Sequence, residues 1–327
     1  MYALRDADFR PLTSAVTSAQ VRAFRRRSLD ADRGGARARR RRHNLLFAVI
    51  CAAIIVAVCA FVAIRLGFDA GTAASAGGAA RARFIAWGVV VLLVVGLGAA
   101  ALILVRQELR RWQHRLRLDA FAHANGFGLV FESEAPDYPG ALFHGGERPV
   151  ARDRLRALTG RELELGRYAY VSRFGAAVST REWTYVALRL DAPSPQIVLE
   201  ARTHRGKLST TGTPAAYRDL PATPLGGASG KLFTLYCPAA RLEHARAILT
   251  RGLIDLLCDA DGNGTGARSD DDRIIDLELV DDWMFLYAPA AWNLADPDVL
   301  RRLFHIVDTV TASLPPEAGP GESAERE

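Results

Sequence analysis

The chain has 327 residues, half of them hydrophobic, and carries a net charge of +6 with a pI near 9.4. That length suffices for one full domain plus extra segments, and the concentration of apolar residues into two long runs excludes a purely soluble protein. The basic pI does not imply nucleic acid. Residues 1–43 hold twelve Arg against four acids (+8), residues 44–106 four Arg against one Asp (+3), and the remainder is −5; positive-inside topology and anionic headgroups account for that basic start, so no nucleic-acid partner is expected.

Residues 1–43 read as a basic, flexible cytoplasmic tail. It holds one short amphipathic stretch, "SAVTSAQVRAFRRR", with Val16, Val21 and Phe24 apolar, and it ends in the Arg-rich segment from Arg37 to Arg42. Residues 44–106 read as two transmembrane helices. Leu45 to Ile64 is uncharged over twenty positions and Phe84 to Val105 over twenty-two, each enough to cross about 30 Å of hydrocarbon as a helix. The first run begins too late and is too long for a signal peptide. Ten Arg lie in residues 22–43 and five in residues 106–117, against three in the connecting segment 65–83. Both termini are therefore expected in the cytoplasm of a plasma (inner) membrane protein, with 65–83 as a short external loop.

Residues 107–125 continue the second run as a juxtamembrane helix, since Leu109, Trp112, Leu116, Ala120 and Ala124 keep spacings of three and four, and Asn125-Gly126 supplies a C-cap. Residues 126–314 read as a cytoplasmic α+β domain with an antiparallel or mixed sheet and two main packed helices. "LELGRYAYV" and "WTYVALRL" alternate with a period of two, and "QIVLEA" and "KLFTLY" are further short runs of β-formers. "AARLEHARAILTRGLIDLLCD" carries one wide apolar stripe and predicts a helix. "IIDLELV" and "WMFLYAP" predict two strands joined by a hairpin turn at Asp281-Asp282. A last helix opens with Asp296 as N-cap and Pro297 at its first position, turning Val299, Leu303, Ile306, Val307 and Val310 inward. Residues 315–327 read as a disordered tail.

The runs "ELELGRYAY", "WTYVALRL", "PQIVLEA", "LFTLYCP" and "VDDWMFLY", followed by "LADPDVLRRLFHIVDTV", resemble a group of actinobacterial two-span membrane proteins of unknown function. The resemblance covers about residues 106–314. It implies the two-span architecture and a cytoplasmic α+β domain, and it assigns no activity. Against such relatives "DADGNGTG" stands out as an insertion between a helix and a strand.

That insertion raises the one metal question. "DADGNGTGARSD" matches a calcium-binding loop through Asp259, Asp261, Asn263 and the turn residue Gly264. Asp270 stands where a bidentate Glu is wanted, Gly266 replaces the usual apolar anchor, and a strand follows instead of a helix. The loop is read as a connector, with no metal ligand assigned. Other motifs fail on spacing. "GGASGK" lacks the second glycine of a nucleophile elbow around Ser229, and Leu225 stands where a P-loop before Gly230 and Lys231 needs glycine. "GNGTGA" follows a helix, not a strand. His144 reads as a loop histidine, and Asp281 and Asp282 as turn residues. Trp183, Trp283 and Trp292 read as core. Of the four cysteines, Cys51 and Cys59 fall in the first apolar run, while Cys237 and Cys258 are isolated, so no disulfide is expected.

No catalytic or cofactor-binding residue is assigned and no cofactor is expected. The expected function is a membrane-tethered cytoplasmic interaction or scaffold module, not an enzyme. Its expected partners are the lipid bilayer, anionic headgroups and a protein of unknown identity. The alternatives are a ligand- or calcium-responsive sensor acting through the loop 259–270, and a membrane-bound enzyme without a recognisable motif.

Overall fold

The computed structural model describes residues 4–31, 76–174, 177–204, 219–227, 229–258, 273–288 and 292–314. The first apolar run, the Arg37–Arg42 segment and the loop 259–270 therefore lie outside the described residues. The chain divides into two compact units, one formed by Met1–Ser14 with Arg117–Glu327 and the other by Ala15–Leu116.

In the second of these units lie α2 (Ser18–Ala31) and most of the 49-residue α3 (Ala76–Ala124). The helix α3 begins inside the segment read from sequence as an external loop and takes up the whole uncharged run. Phe84, Leu92 and Val95 in that run are exposed. Among the described residues no helix is long and apolar enough to cross a membrane. The amphipathic stretch read in the basic N-terminal segment falls on α2. Val21 and Phe24, one turn apart on α2, are buried, and Phe24 packs edge-on against Trp112 of α3 with ring centres 6.2 Å apart.

The other unit is α+β. Its start, before and within the one-turn α1 (Arg10–Thr13), is also packed where a flexible tail was expected. The Asp8 N–H donates to Asn125 Oδ1 at 2.6 Å, and Asn125 Nδ2 donates back to the Asp8 carbonyl at 3.0 Å. Phe9 lies against Phe121 and Phe304, and Leu12 is buried. Asn125 thus ends α3 and clasps the N-terminal segment, while Gly126 takes the left-handed φ of +70° that the chain reversal requires.

Among the described residues seven strands follow: β1 (Phe127–Glu134), β2 (Glu147–Ala157), β3 (Leu163–Phe174), β4 (Ala177–Ala201), β5 (Ala222–Thr223), β6 (Phe233–Tyr236) and β7 (Asp276–Ala288). They form one sheet in the order β1-β2-β3-β4-β6-β5, with β7 paired to β4, and every pairing is antiparallel. The long β4 is its spine. Residues 184–188 are paired on both edges, to β3 and to β7, and residues 198–199 to β6 and β7. The runs "WTYVALRL" and "QIVLEA" are two halves of this one strand.

The expected hairpin at Asp281-Asp282 is absent, because β7 passes through it as a single strand. Asp281 adopts φ 52°, which an Asp tolerates better than most side chains, and the β4–β7 register shifts between Arg189 and Ser194 and again before Ile197. The Asp-Asp pair therefore marks a bulged bend shared by both strands. The helix read over 239–259 is also interrupted. The one-turn α4 (Ser229–Leu232) precedes β6; a 3-10 turn, Ala239–Arg241, then leads into α5 (Leu242–Ile248), and the chain restarts as α6 (Arg251–Cys258). Thr250 makes the break favourable, since its hydroxyl accepts the Leu253 N–H as a new N-cap. The last helix, α7 (Pro297–Ser313), starts as its sequence predicts, with the Asp296 carboxylate accepting the Asp298 N–H at 3.0 Å.

Alternation gives the sheet two different faces. Leu163, Leu165, Val186, Leu188, Leu277, Leu279 and Leu286 point to one side and build the main core with Leu253, Leu257, Leu300, Leu303 and Val307 from α6 and α7. Tyr168, Tyr170, Trp183, Tyr185, Phe285 and Tyr287 point to the other.

Candidate functional site

The aromatic face is where the domain collects its buried carboxylates. In the sequences "ELEL" (162–165) and "DLEL" (276–279) acids alternate with leucines, a pattern that reads as a solvated side. The chain instead covers that side with the segment between β1 and β2, whose 3-10 turn Ala141–His144 brings in Ala141, Leu142 and Phe143. The Phe143 ring meets Tyr168 and Tyr185 edge-on at 5.1 and 5.2 Å, and Tyr138 packs 4.8 Å from Trp283. Gly140 lets the segment lie on Phe285 and Tyr287, because a Cβ there would fall 2.9 Å from the Phe285 ring.

Two carboxylates sit beneath this strap. Glu164 is 1 % exposed and is held bidentately by Arg154, Nε to Oε1 at 2.9 Å and Nη2 to Oε2 at 2.7 Å, while the Tyr185 hydroxyl donates to Oε1 at 2.5 Å. Burial and the Glu164 charge together push the Tyr185 phenol well above its usual range. Tyr138 shifts upward for the same two reasons, and burial raises Tyr168 to about 12. These phenols are therefore donors throughout the physiological range. Glu278 is fully buried, and its Oε2 accepts the Tyr287 hydroxyl at 2.7 Å and the Ala141 N–H at 2.8 Å. Its Oε1 meets no donor at hydrogen-bonding geometry. Burial pushes its pKa up to about 7, although Tyr287, the Ala141 N–H and Gln196 all favour the charged form.

Further along the same face Glu200 accepts from Tyr236, and Asp276 accepts the Ala201 N–H at 2.7 Å with His204 Nδ1 at 2.9 Å. His204 is completely buried, with its ring edge-on to Trp183. Each of these side chains makes at least one hydrogen bond within the chain, and Glu278 makes its bonds through Oε2 alone. The arrangement gives a rigid polar-aromatic inner layer with one carboxyl group, Glu278, that titrates near neutrality.

Of the residues singled out from sequence, Trp183 lies within this layer and Trp283 at its rim, while the others take no part in its hydrogen bonds. His144 is exposed at the end of the 3-10 turn, and Asp282 pairs with Arg189 at 2.8 Å beside the bend. Trp183 and Trp292 are buried, and Trp283 is half-buried at the rim of the aromatic layer. Cys237 and Cys258 are free thiols, both pushed up chiefly by burial. Among the described residues no group of three His, Cys, Asp or Glu side chains is placed to hold a metal ion. Glu164, Asp276 and Glu278 were not singled out, because nothing local in the strands signals that the acidic side is covered.

The class defined by these observations is an α+β domain with an antiparallel sheet, aliphatic on one face and polar-aromatic on the other. No family model and no curated protein matches the chain. Among solved structures it is similar to the crystal structure of mycobacterial trehalose monomycolate transport factor A, TtfA, at 15 % identity and a TM-score of 0.36, over 62 % of this chain and 97 % of that one. A likeness of that size carries no argument about function, and no family assignment follows.

Proposed function

We propose that the chain is a multi-pass protein of the plasma (inner) membrane with both termini cytoplasmic, and that its α+β domain is an interaction module and not a catalyst. The observation that carries the membrane part is α3, in which an uncharged run of twenty-two residues with exposed Phe84, Leu92 and Val95 continues as helix to Ala124. Large apolar side chains projecting from a helix along such a length are stable only against other apolar matter. The Arg excess outside the apolar runs supports the orientation. The interaction reading is supported by the inner polar groups, whose hydrogen bonds, Glu278 Oε1 apart, run to the strap and the sheet. Reporter fusions test the topology. A reporter active only in the cytoplasm is expected to be active after residue 314 and silent near Gly71, and the reverse pattern would overturn the orientation.

A further inference from the structure

The unit Ala15–Leu116 holds an arrangement that the expected role of the Arg37–Arg42 segment does not cover. α2 is amphipathic. Its apolar edge, Val21 and Phe24, is buried, while Arg22, Arg25, Arg26 and Arg27 are exposed. The edge meets α3 at Trp112, which is 6 % exposed and whose Nε1 donates to Glu108 at 3.0 Å. Arg25 and Arg115 lie over the same indole, their guanidinium carbons 5.9 and 5.4 Å from the ring centre. Arg106, Arg110 and Arg111 are exposed on α3 between the uncharged run and this contact. The two segments thus place eight arginines around one aromatic contact. Glu108 lies 3.8 Å from Arg111 on the same helix.

The spacing decides the partner. Trp112 follows Val105 by seven residues, which along a helix is about 10 Å, and Arg106 and Arg110 fall within about 8 Å. A headgroup layer is roughly 5–8 Å deep on each side of the hydrocarbon, and screening at physiological salt acts over about 8 Å. A basic collar at this height faces phosphate groups of the surface from which α3 emerges, and its two helices are locked together by Phe24 and Trp112. We infer that α2 and the first turns of α3 beyond Val105 form a docking surface for anionic phospholipid headgroups, with Arg22, Arg26, Arg27, Arg106 and Arg110 as the phosphate-facing groups. This rests on the membrane reading above and deepens it.

The test uses the full chain reconstituted into nanodiscs of phosphatidylcholine alone or mixed with phosphatidylglycerol, reading backbone hydrogen exchange across Val21–Arg27. Exchange is expected to be at least tenfold slower in the anionic discs. Molar salt should abolish the difference, and so should the triple variant Arg22→Gln, Arg26→Gln, Arg27→Gln, since neutralising three arginines at an anionic surface weakens docking on the order of a hundredfold. Equal exchange in both lipids would overturn the inference, as would equal slowing by a short DNA duplex in neutral discs, which would reassign the collar to polyanions in general. Failure of the chain to enter either disc would sink the membrane reading and this surface with it.

Discussion

The Tyr287 hydroxyl donates to the Glu278 carboxylate at 2.7 Å, although the two residues are nine apart on the same strand. A straight strand of that length would separate their Cα atoms by about 30 Å. The two side chains and the hydrogen bond together reach roughly 13 Å at most. β7 must therefore fold sharply at Asp281, with Glu278 and Tyr287 facing each other across the concave side. The Ala141 N–H donates to the same carboxylate oxygen, so one acid ties together the bend and the strap lying in it.

This acid makes stability depend on pH. The folded-state pKa of Glu278 is raised to about 7 from an ordinary 4.5, so between these values the folded protein binds the extra proton and the unfolded chain does not. Stability therefore falls as pH rises through that window, by about 3 kcal/mol in total. Glu278→Gln should remove this dependence and leave the variant more stable than the parent above pH 7. Tyr287→Phe deletes a donor that favours the carboxylate and should extend the loss to higher pH. Chemical unfolding of all three proteins between pH 4.5 and 8.5 checks this, and a parent protein with flat stability over that interval refutes the assignment.

The strap depends on two glycines for different reasons. At Gly140 the backbone is ordinary, but a Cβ would collide with Phe285 and Tyr287; at Gly146 φ is +76° and a Cβ would enter the Tyr170 ring. Gly140→Ala and Gly146→Ala should each destabilise the domain by about 2–3 kcal/mol. Gly160→Ala is the control, since φ is +81° there but nothing lies within 4 Å, and it should cost only about 1 kcal/mol. Melting temperatures of the three variants give the order directly.

Much of this architecture is legible in the sequence, and the failures share a cause. The alternation in "WTYVALRL", the Asp296-Pro297 start of α7 and the Asn125-Gly126 end of α3 rest on local rules, and the structure follows them. The hairpin at Asp281-Asp282 was misread because a bulged bend and a reversal use the same residue types, and only the partner strand distinguishes them. Ser194 and Ile197 on β4 record the compensating shifts. The site was illegible for a similar reason, since an acidic alternate position looks solvated until a segment from elsewhere in the chain covers it. The packing of Phe9 and Leu12 is likewise a long-range event, next to the hydrogen bond between Asp8 and Asn125, 117 residues apart.

Arg154 and Glu164 form a nearly buried pair, with side chains 18 % and 1 % exposed. Removing one partner leaves the other charged and poorly solvated, so Glu164→Gln should cost about 3 kcal/mol. Replacing both, Arg154→Met with Glu164→Leu, should cost less than the sum of the single changes, because no orphaned charge remains. Tyr185 reports the same event, since its hydroxyl loses a carboxylate acceptor and its raised pKa should move down in Glu164→Gln. A double variant as unstable as the sum would show that the pair contributes no coupling.

The final prediction concerns the connector from residue 259 to 272, whose two stems are tied by one side chain. Arg302 Nη2 donates to the carbonyls of Leu256, Leu257 and Arg273 at 2.9, 3.1 and 3.0 Å, and the Ile275 N–H donates to the Leu257 carbonyl at 3.0 Å. The guanidinium caps the C-terminal end of α6 and clamps that end to the start of the next segment, so stem closure does not depend on the loop's own residues. Replacing residues 260–269 by a short Gly/Ser linker should then change stability by less than about 1 kcal/mol, because closure entropy varies only weakly with length. Arg302→Ala, which removes this donor from three carbonyls in part-buried surroundings and leaves Leu257 only the Ile275 N–H, should cost about 2 kcal/mol. The same pair of proteins addresses the resemblance of "DADGNGTGARSD" to a calcium loop. If the segment is only a connector, calcium raises the melting temperature of neither the parent nor the linker variant. Calorimetric binding of calcium to the parent tighter than about 10 μM, the range of calcium sensors, and lost in the linker variant, would make the loop a metal site.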